Sequence, residues 1–134
     1  MNRPPQPVKA PDFFGCLSFA DNEIGRVIDA IDRFSHDALV TYTADHGDFL
    51  ESRRLGSGKG PCMYEEITRI PFLVRWPGHA AANAVCAHPV SHIDVSGTLM
   101  EYFGHEVPKT LEGGSMLATF ENPARRPRDE IFIE

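Results

Sequence analysis

The chain has 134 residues, which suits a single domain, and a formal net charge of -6 with no block of Lys and Arg, which argues against a nucleic-acid surface. No apolar stretch is long enough to span a membrane. The polar, proline-rich start Met1-Asn2-Arg3-Pro4-Pro5 does not read as a secretory signal; the localisation stays open, and the chain as it stands is expected to be cytoplasmic.

Residues 1–11 hold four prolines and read as an extended lead-in. Phe13, Leu17, Ala20, Ile24, Val27 and Ile31 then recur at spacings of four and three, which predicts a helix over 12–34 whose apolar stripe covers a sheet. Cys16, Cys62 and Cys86 are widely spaced, form no zinc pattern and read as reduced thiols. After a break at Ser35-His36-Asp37 comes Leu39-Val40-Thr41-Tyr42-Thr43-Ala44, a short β-branched strand that stops at Asp45-His46-Gly47. Helix, short link and strand make half of a βαβ unit, which predicts an α/β fold with a mostly parallel sheet. Open α/β sheets bind ligands outside the carboxyl ends of their strands. Asp45 and His46 stand at such an end, and both side chains are metal-ligand types.

The stretch 48–62 is polar and glycine-rich, without period, and reads as a long functional loop. Its Gly58-Lys59 does not meet the phosphate-loop pattern. One or two helical turns are predicted over 63–69, ended by Pro71, and a strand over 72–76, closed by Pro77-Gly78. A further short strand is predicted over 85–90. Asp94 is placed as the cap of a helix that turns Val95, Leu99, Met100 and Phe103 inward and stops at Gly104. Residues 105–130 read as largely irregular, with a solvated basic cluster at 125–128, and 131–133 as a last strand. There are no internal repeats.

Three runs occur in one order: Thr43-Ala44-Asp45-His46-Gly47-Asp48, then Gly58-Lys59-Gly60-Pro61, then Tyr64-Glu65-Glu66-Ile67-Thr68-Arg69-Ile70-Pro71-Phe72-Leu73-Val74-Arg75-Trp76-Pro77-Gly78. That series resembles the C-terminal part of the catalytic domain of a sulfatase, in the alkaline phosphatase superfamily. Phe19 to Val27 resembles the helix before the metal strand, and Ser91-His92-Ile93-Asp94-Val95 with Gly104 the strand-to-helix step that follows. The resemblance implies one partial α/β domain over 1–134, cut from an alkaline-phosphatase-like sandwich, and a sulfate ester as substrate. It also implies a formylglycine nucleophile and a divalent cation, usually calcium. By the same resemblance Asp45 and His46 are metal ligands and Lys59 contacts the sulfate, where a point cation offsets charge on the oxygens as the ester bond breaks.

Three departures shape the expectation. Calcium prefers oxygen ligands, and His46 suits manganese, zinc or iron better. The Asp-His pair also keeps a phosphonate or phosphate monoester hydrolase open as an alternative. Leu50-Glu51-Ser52-Arg53-Arg54-Leu55-Gly56 departs from the G-x-H-G-like step of many relatives. Lastly, no C-x-P-x-R or S-x-P-x-R run is present, and the early aspartates, lysine and histidines of a full member have no counterpart. The chain is therefore expected to be a fragment or non-catalytic remnant, inactive alone. Raw sheet edges are expected to make it self-associate.

Overall fold

A computed structural model describes residues 10–54, 56, 58–60, 62–125, 130, 131 and 133. The chain divides into two compact units, Met1–Leu73 and Val74–Glu134. Each has its own small core.

In the first unit, α1 spans Pro11–Phe34 and β1 spans Val40–Thr43. Pro11 stands at the helix start, where its missing N–H costs nothing. Ser35 leaves the helical conformation and donates its N–H to Ile31 O at 2.7 Å, closing the last turn. The predicted stripe is present, with Phe13, Ile24 and Ile31 half-buried, but no residue of α1 is buried and Leu17 and Val27 are exposed. The helix is thus amphipathic by sequence without laying that stripe into a core.

A single 3-10 turn, Ser52–Arg54, follows, then α2 over Glu65–Thr68 and β2 over Phe72–Arg75. β1 and β2 are hydrogen-bonded neighbours in a two-stranded sheet. The core of this unit is Phe49 and Ile67, with Tyr64 edge-on to Phe49 at a ring separation of 6.1 Å. Phe49 lies just beyond the Asp-His-Gly turn and Ile67 lies in α2, so the core joins the strand end to the short helix.

In the second unit α3 spans Ile93–Tyr102 and α4 spans Leu117–Glu121. The inward face of α3 differs from the predicted one. Leu99 and Phe103 are exposed, whereas Asp94, Gly97 and Thr98 are buried. The reason is what packs there. The backbone of Gly113-Gly114 lies so close to the helix that a Cβ on Gly97 would come within 2.8 Å of Gly114 O. A Cβ on Gly113 would collide with Ile93 O. A main-chain segment brings N–H donors rather than apolar surface, so the helix meets it with acceptors. Asp94 accepts from Gly114 N at 3.0 Å, and Thr98 Oγ accepts from Met116 N at 2.9 Å while donating to Asp94 O at 2.6 Å. Met116, 1% exposed, and Phe120 complete this core.

Asp94 lies inside the first turn of α3 rather than at its cap; it reaches back to accept from Ser91 N at 3.0 Å. Gly104 ends the helix with a φ of +77°, as its position after Phe103 predicts. No strand forms over 85–90, where Val85 is 86% exposed. α4 lies in the stretch expected to be irregular, five residues too short to show a period. Residues 126–128 of the basic cluster and 132 of the last predicted strand lie outside the described residues.

Thr98→Val is expected to lower stability by about 1–3 kcal/mol, because it leaves the buried Met116 N–H without an acceptor. Thr98→Ser keeps the hydroxyl and should stay within about 1 kcal/mol of the wild type. Urea unfolding curves of the three proteins measure the difference.

Candidate functional site at the end of the first strand

β1 ends at Thr43, and the chain turns through Asp45-His46-Gly47. Gly47 makes the turn fit. Its N–H donates to Ile67 O at 2.8 Å, and a Cβ there would run into the carbonyl oxygen of Glu66. Only a residue without a side chain lets the strand end lie directly on the backbone of α2. That contact places Asp45 and His46 beside each other at the edge of the sheet.

The two side chains converge. Asp45 Oδ1 accepts from His46 N at 2.9 Å, and Asp45 Oδ2 lies 3.3 Å from His46 Nε2. His46 Nδ1 lies 2.8 Å from Gly47 O. A carbonyl only accepts, so Nδ1 carries the proton and, in the neutral ring, Nε2 keeps its lone pair. A histidine ligand is commonly oriented in this way, with its far nitrogen donating to a backbone carbonyl. Nε2 and Oδ2 are then two lone-pair donors facing one space, a pair that repels unless a proton or cation lies between them. The donor set fits a divalent cation in chemistry. Among the described residues, however, no group of three or more His, Cys, Asp or Glu side chains gathers as a metal shell.

Lys59 is exposed. The Asp45 carboxyl is held below its ordinary value mainly by the His46 N–H it accepts, with smaller help from the imidazole beside it and, last, from Lys59. Asp45 and His46 are brought together by direct contact, whereas Lys59, fourteen positions after Asp45, bears on the pair only as the weakest influence on the Asp45 carboxyl.

Asp48 is a residue whose part was not visible in the sequence. Its Oδ1 accepts from Leu50 N at 2.7 Å, and both its oxygens accept from Gly58 N, at 3.0 and 2.9 Å. These backbone donors lower its carboxyl from the ordinary value, Leu50 first and Gly58 next. The one available signal was an Asp two residues before a left-handed residue, the pattern of an Asx turn; Leu50 has a φ of 45°.

A sulfatase family model matches residues 8–105, a span that contains Asp45, His46 and Lys59. The chain belongs to the sulfatase family. A sulfatase of Escherichia coli K12, YidJ, whose activity is uncharacterized, is 40% identical over 112 residues, which is 83% of this chain and 22% of that protein. The structure of BT4656 in complex with its substrate D-glucosamine-2-N,6-O-disulfate superposes with a TM-score of 0.72 at 30% identity, over 81% of this chain and 22% of that one. The phosphonate monoester hydrolase SpPMH of Silicibacter pomeroyi gives a TM-score of 0.70 at 31% identity, over 78% of this chain and 21% of its own. This sulfatase-family chain thus spans about a fifth of the relatives it matches. Its helices and small sheet are part of an alkaline-phosphatase-like α/β fold. Among the described residues, no helix is long and apolar enough to cross a membrane.

Gly47→Ala is expected to destabilise the first unit by about 1–3 kcal/mol, because the new methyl meets backbone that cannot step aside. Thermal unfolding followed by circular dichroism measures it. The lowered Asp48 carboxyl predicts a pH response with a definite sign. A depressed folded value means the stabilisation is present above the ordinary Asp value of 3.8 and is lost as pH falls through the folded one. The Gly58 amide resonance should therefore hold its position from neutral pH down to that value and move only in stronger acid.

Proposed function

We propose that this chain is the C-terminal part of the catalytic domain of a sulfuric ester hydrolase, carrying two of its metal ligands and one of its sulfate contacts. The observation that carries the reading is the convergence of Asp45 Oδ2 and His46 Nε2 at 3.3 Å at the end of β1.

Asp45 and His46 would hold the divalent cation. When bound, that cation supplies positive charge to the sulfate oxygens and lowers the barrier to displacement at sulfur. Calcium is the choice the family favours; the imidazole favours manganese, zinc or iron. The roles of this chain's own groups follow from their positions. His46 donates Nδ1–H to Gly47 O, which fixes its ring and directs the Nε2 lone pair outward. Asp45 stays ionised because the His46 N–H and nearby positive charge hold its proton affinity down. Lys59, an exposed ammonium on a flexible stem, pairs with a sulfate oxygen and offsets the charge that gathers there as the ester bond breaks.

The sequence supplies no C-x-P-x-R or S-x-P-x-R run, and so no side chain in the context that matures to formylglycine. Groups that act as a unit lose most of their effect when one is missing. The 134-residue chain by itself is accordingly a binding half-site without turnover. A second reading, a phosphonate or phosphate monoester hydrolase, draws support from the likeness to SpPMH and from the same Asp-His pair. Sulfate and phosphonate esters present similar tetrahedral anions, and the nucleophile separates the two readings.

Calorimetry on the 134-residue chain is expected to give weak binding of calcium, manganese or zinc, with dissociation constants of about 10⁻⁴–10⁻³ M, abolished by Asp45→Ala. Binding that survives Asp45→Ala would overturn the metal assignment. The chain should not hydrolyse a chromogenic aryl sulfate with any of these metals. In a complete sulfatase carrying this segment, Lys59→Ala should lower kcat by about 10²–10³-fold while leaving the fold intact. An unchanged kcat would remove Lys59 from the site.

A further inference from the structure

We propose that Asp48 is a positioning residue: its carboxylate closes the neck of the loop 48–58 and thereby sets where Lys59 stands beside Asp45 and His46. The inference rests on the reading of Lys59 as the sulfate contact and adds the residue that aims it.

Among the described residues, the loop that carries Lys59 is held by backbone hydrogen bonds rather than by buried side chains. Among the described side chains of 50–58 none is buried, and the buried hydrophobic residue next to them is Phe49 at the root, 3% exposed. Backbone conformation does not stiffen the loop in a relaxed way either. Leu50, Glu51 and Arg54 take positive φ values of 45°, 62° and 60°, a region that costs a side-chain-bearing residue about 1 kcal/mol or more. Such a path persists only when other contacts impose it.

Those contacts converge on Gly58. Its N–H is bound by both oxygens of Asp48 at 3.0 and 2.9 Å. Its carbonyl accepts from Phe49 N at 3.2 Å. The peptide groups on both sides of Gly58 are thus held, and the second of them is the Gly58–Lys59 peptide. A second rung, Glu51 N to Gly56 O at 3.0 Å, narrows the loop beyond the neck. Gly58 has a φ of +98°, open to glycine and strained for any side chain. The chain of constraint therefore runs from buried Phe49 to Asp48 beside it, across to Gly58, and through one peptide plane to Lys59. The carboxylate makes three contacts with two backbone N–H groups, those of Leu50 and Gly58, and charge-assisted bonds are the stronger kind.

The test uses the full 134-residue chain labelled with ¹⁵N, with manganese(II) alone as the paramagnetic probe and amide exchange as a second readout. Weak binding suffices, because fast exchange still broadens nearby resonances. In the wild type, manganese should broaden the amides of Ala44 to Gly47 and that of Lys59. In Asp48→Ala the strand-end broadening should remain, the Lys59 broadening should fall away relative to it, and the Gly58 amide should exchange about tenfold faster or more. Asp48→Asn keeps one acceptor oxygen and should restore the Lys59 broadening with intermediate exchange at Gly58.

A change that merely loosened the unit would instead alter Ala44 to Gly47 along with Lys59. Lys59 broadening and Gly58 exchange that match the wild type in Asp48→Ala would overturn the proposal. Should the alanine variant fail to fold, the same match at both sites in Asp48→Asn overturns it. No broadening at Asp45 and His46 in the wild type would overturn the metal reading alone. In that case Gly58 exchange decides the role of Asp48 without reference to any metal.

Discussion

The close approach at Gly47 is the constraint on which the site depends. A strand end cannot ordinarily lie against the backbone of a helix, because the Cβ of the residue between them fills the gap. Here the Gly47 N–H bonds Ile67 O directly, and the space a Cβ would need is taken by Glu66 O. Everything functional is referred to that contact. Asp45 and His46 precede it by two and one positions. Phe49, which follows by two, turns back into the core beside Tyr64. The contact thus decides which side chains go to solvent and which go inward at the point where the strand ends.

Each unit then solves the same problem with the same device. A glycine-containing segment without apolar side chains has to be held against a defined surface, and a single aspartate does it by accepting backbone N–H groups. In the first unit Asp48 reaches ten positions to Gly58. In the second, Asp94 reaches twenty positions to Gly114 and is seconded by Thr98 on Met116. The two differ in exposure. Asp94 is 1% exposed and satisfied within a packed core, so it serves stability. Asp48 is half-buried at the root of a solvent-facing loop, so its bonds govern the geometry of what that loop presents. The difference in setting, not in chemistry, separates a structural aspartate from one tied to the site.

On the proposed reading, the end of β1 is a place for an anion held beside a cation. Asp45 remains ionised, Nε2 of His46 faces it with a lone pair, and Lys59 contributes positive charge from the loop. Two protein donors leave most of a divalent shell to other groups. Relatives of which this chain spans about a fifth have the length to supply them. The many exposed apolar side chains on α1, among them Phe14, Phe19 and Phe34, likewise mark a surface that the first unit's core at Phe49 and Ile67 does not engage.

The sequence by itself determined the elements with strong periods and the residues with strong chemistry. The α1 stripe, the β-branched strand ended by Asp45-His46-Gly47, the strand at 72–75 and the stop at Gly104 follow from local preferences that tertiary contacts did not override. The ordered motifs pointed to the sulfatase family because their residues are read one by one, without knowledge of packing. Only the tertiary structure decided which face of α3 is buried, since a main-chain segment twenty positions away made Asp94, Gly97 and Thr98 the inner face and left Leu99 and Phe103 outside. It alone gave Asp48 its partner, because an Asp in a polar loop looks the same whether or not a distant amide is brought to it. Hydrophobic periodicity reports where oil meets water; it carries no information on where one backbone lies close enough to another to exchange hydrogen bonds.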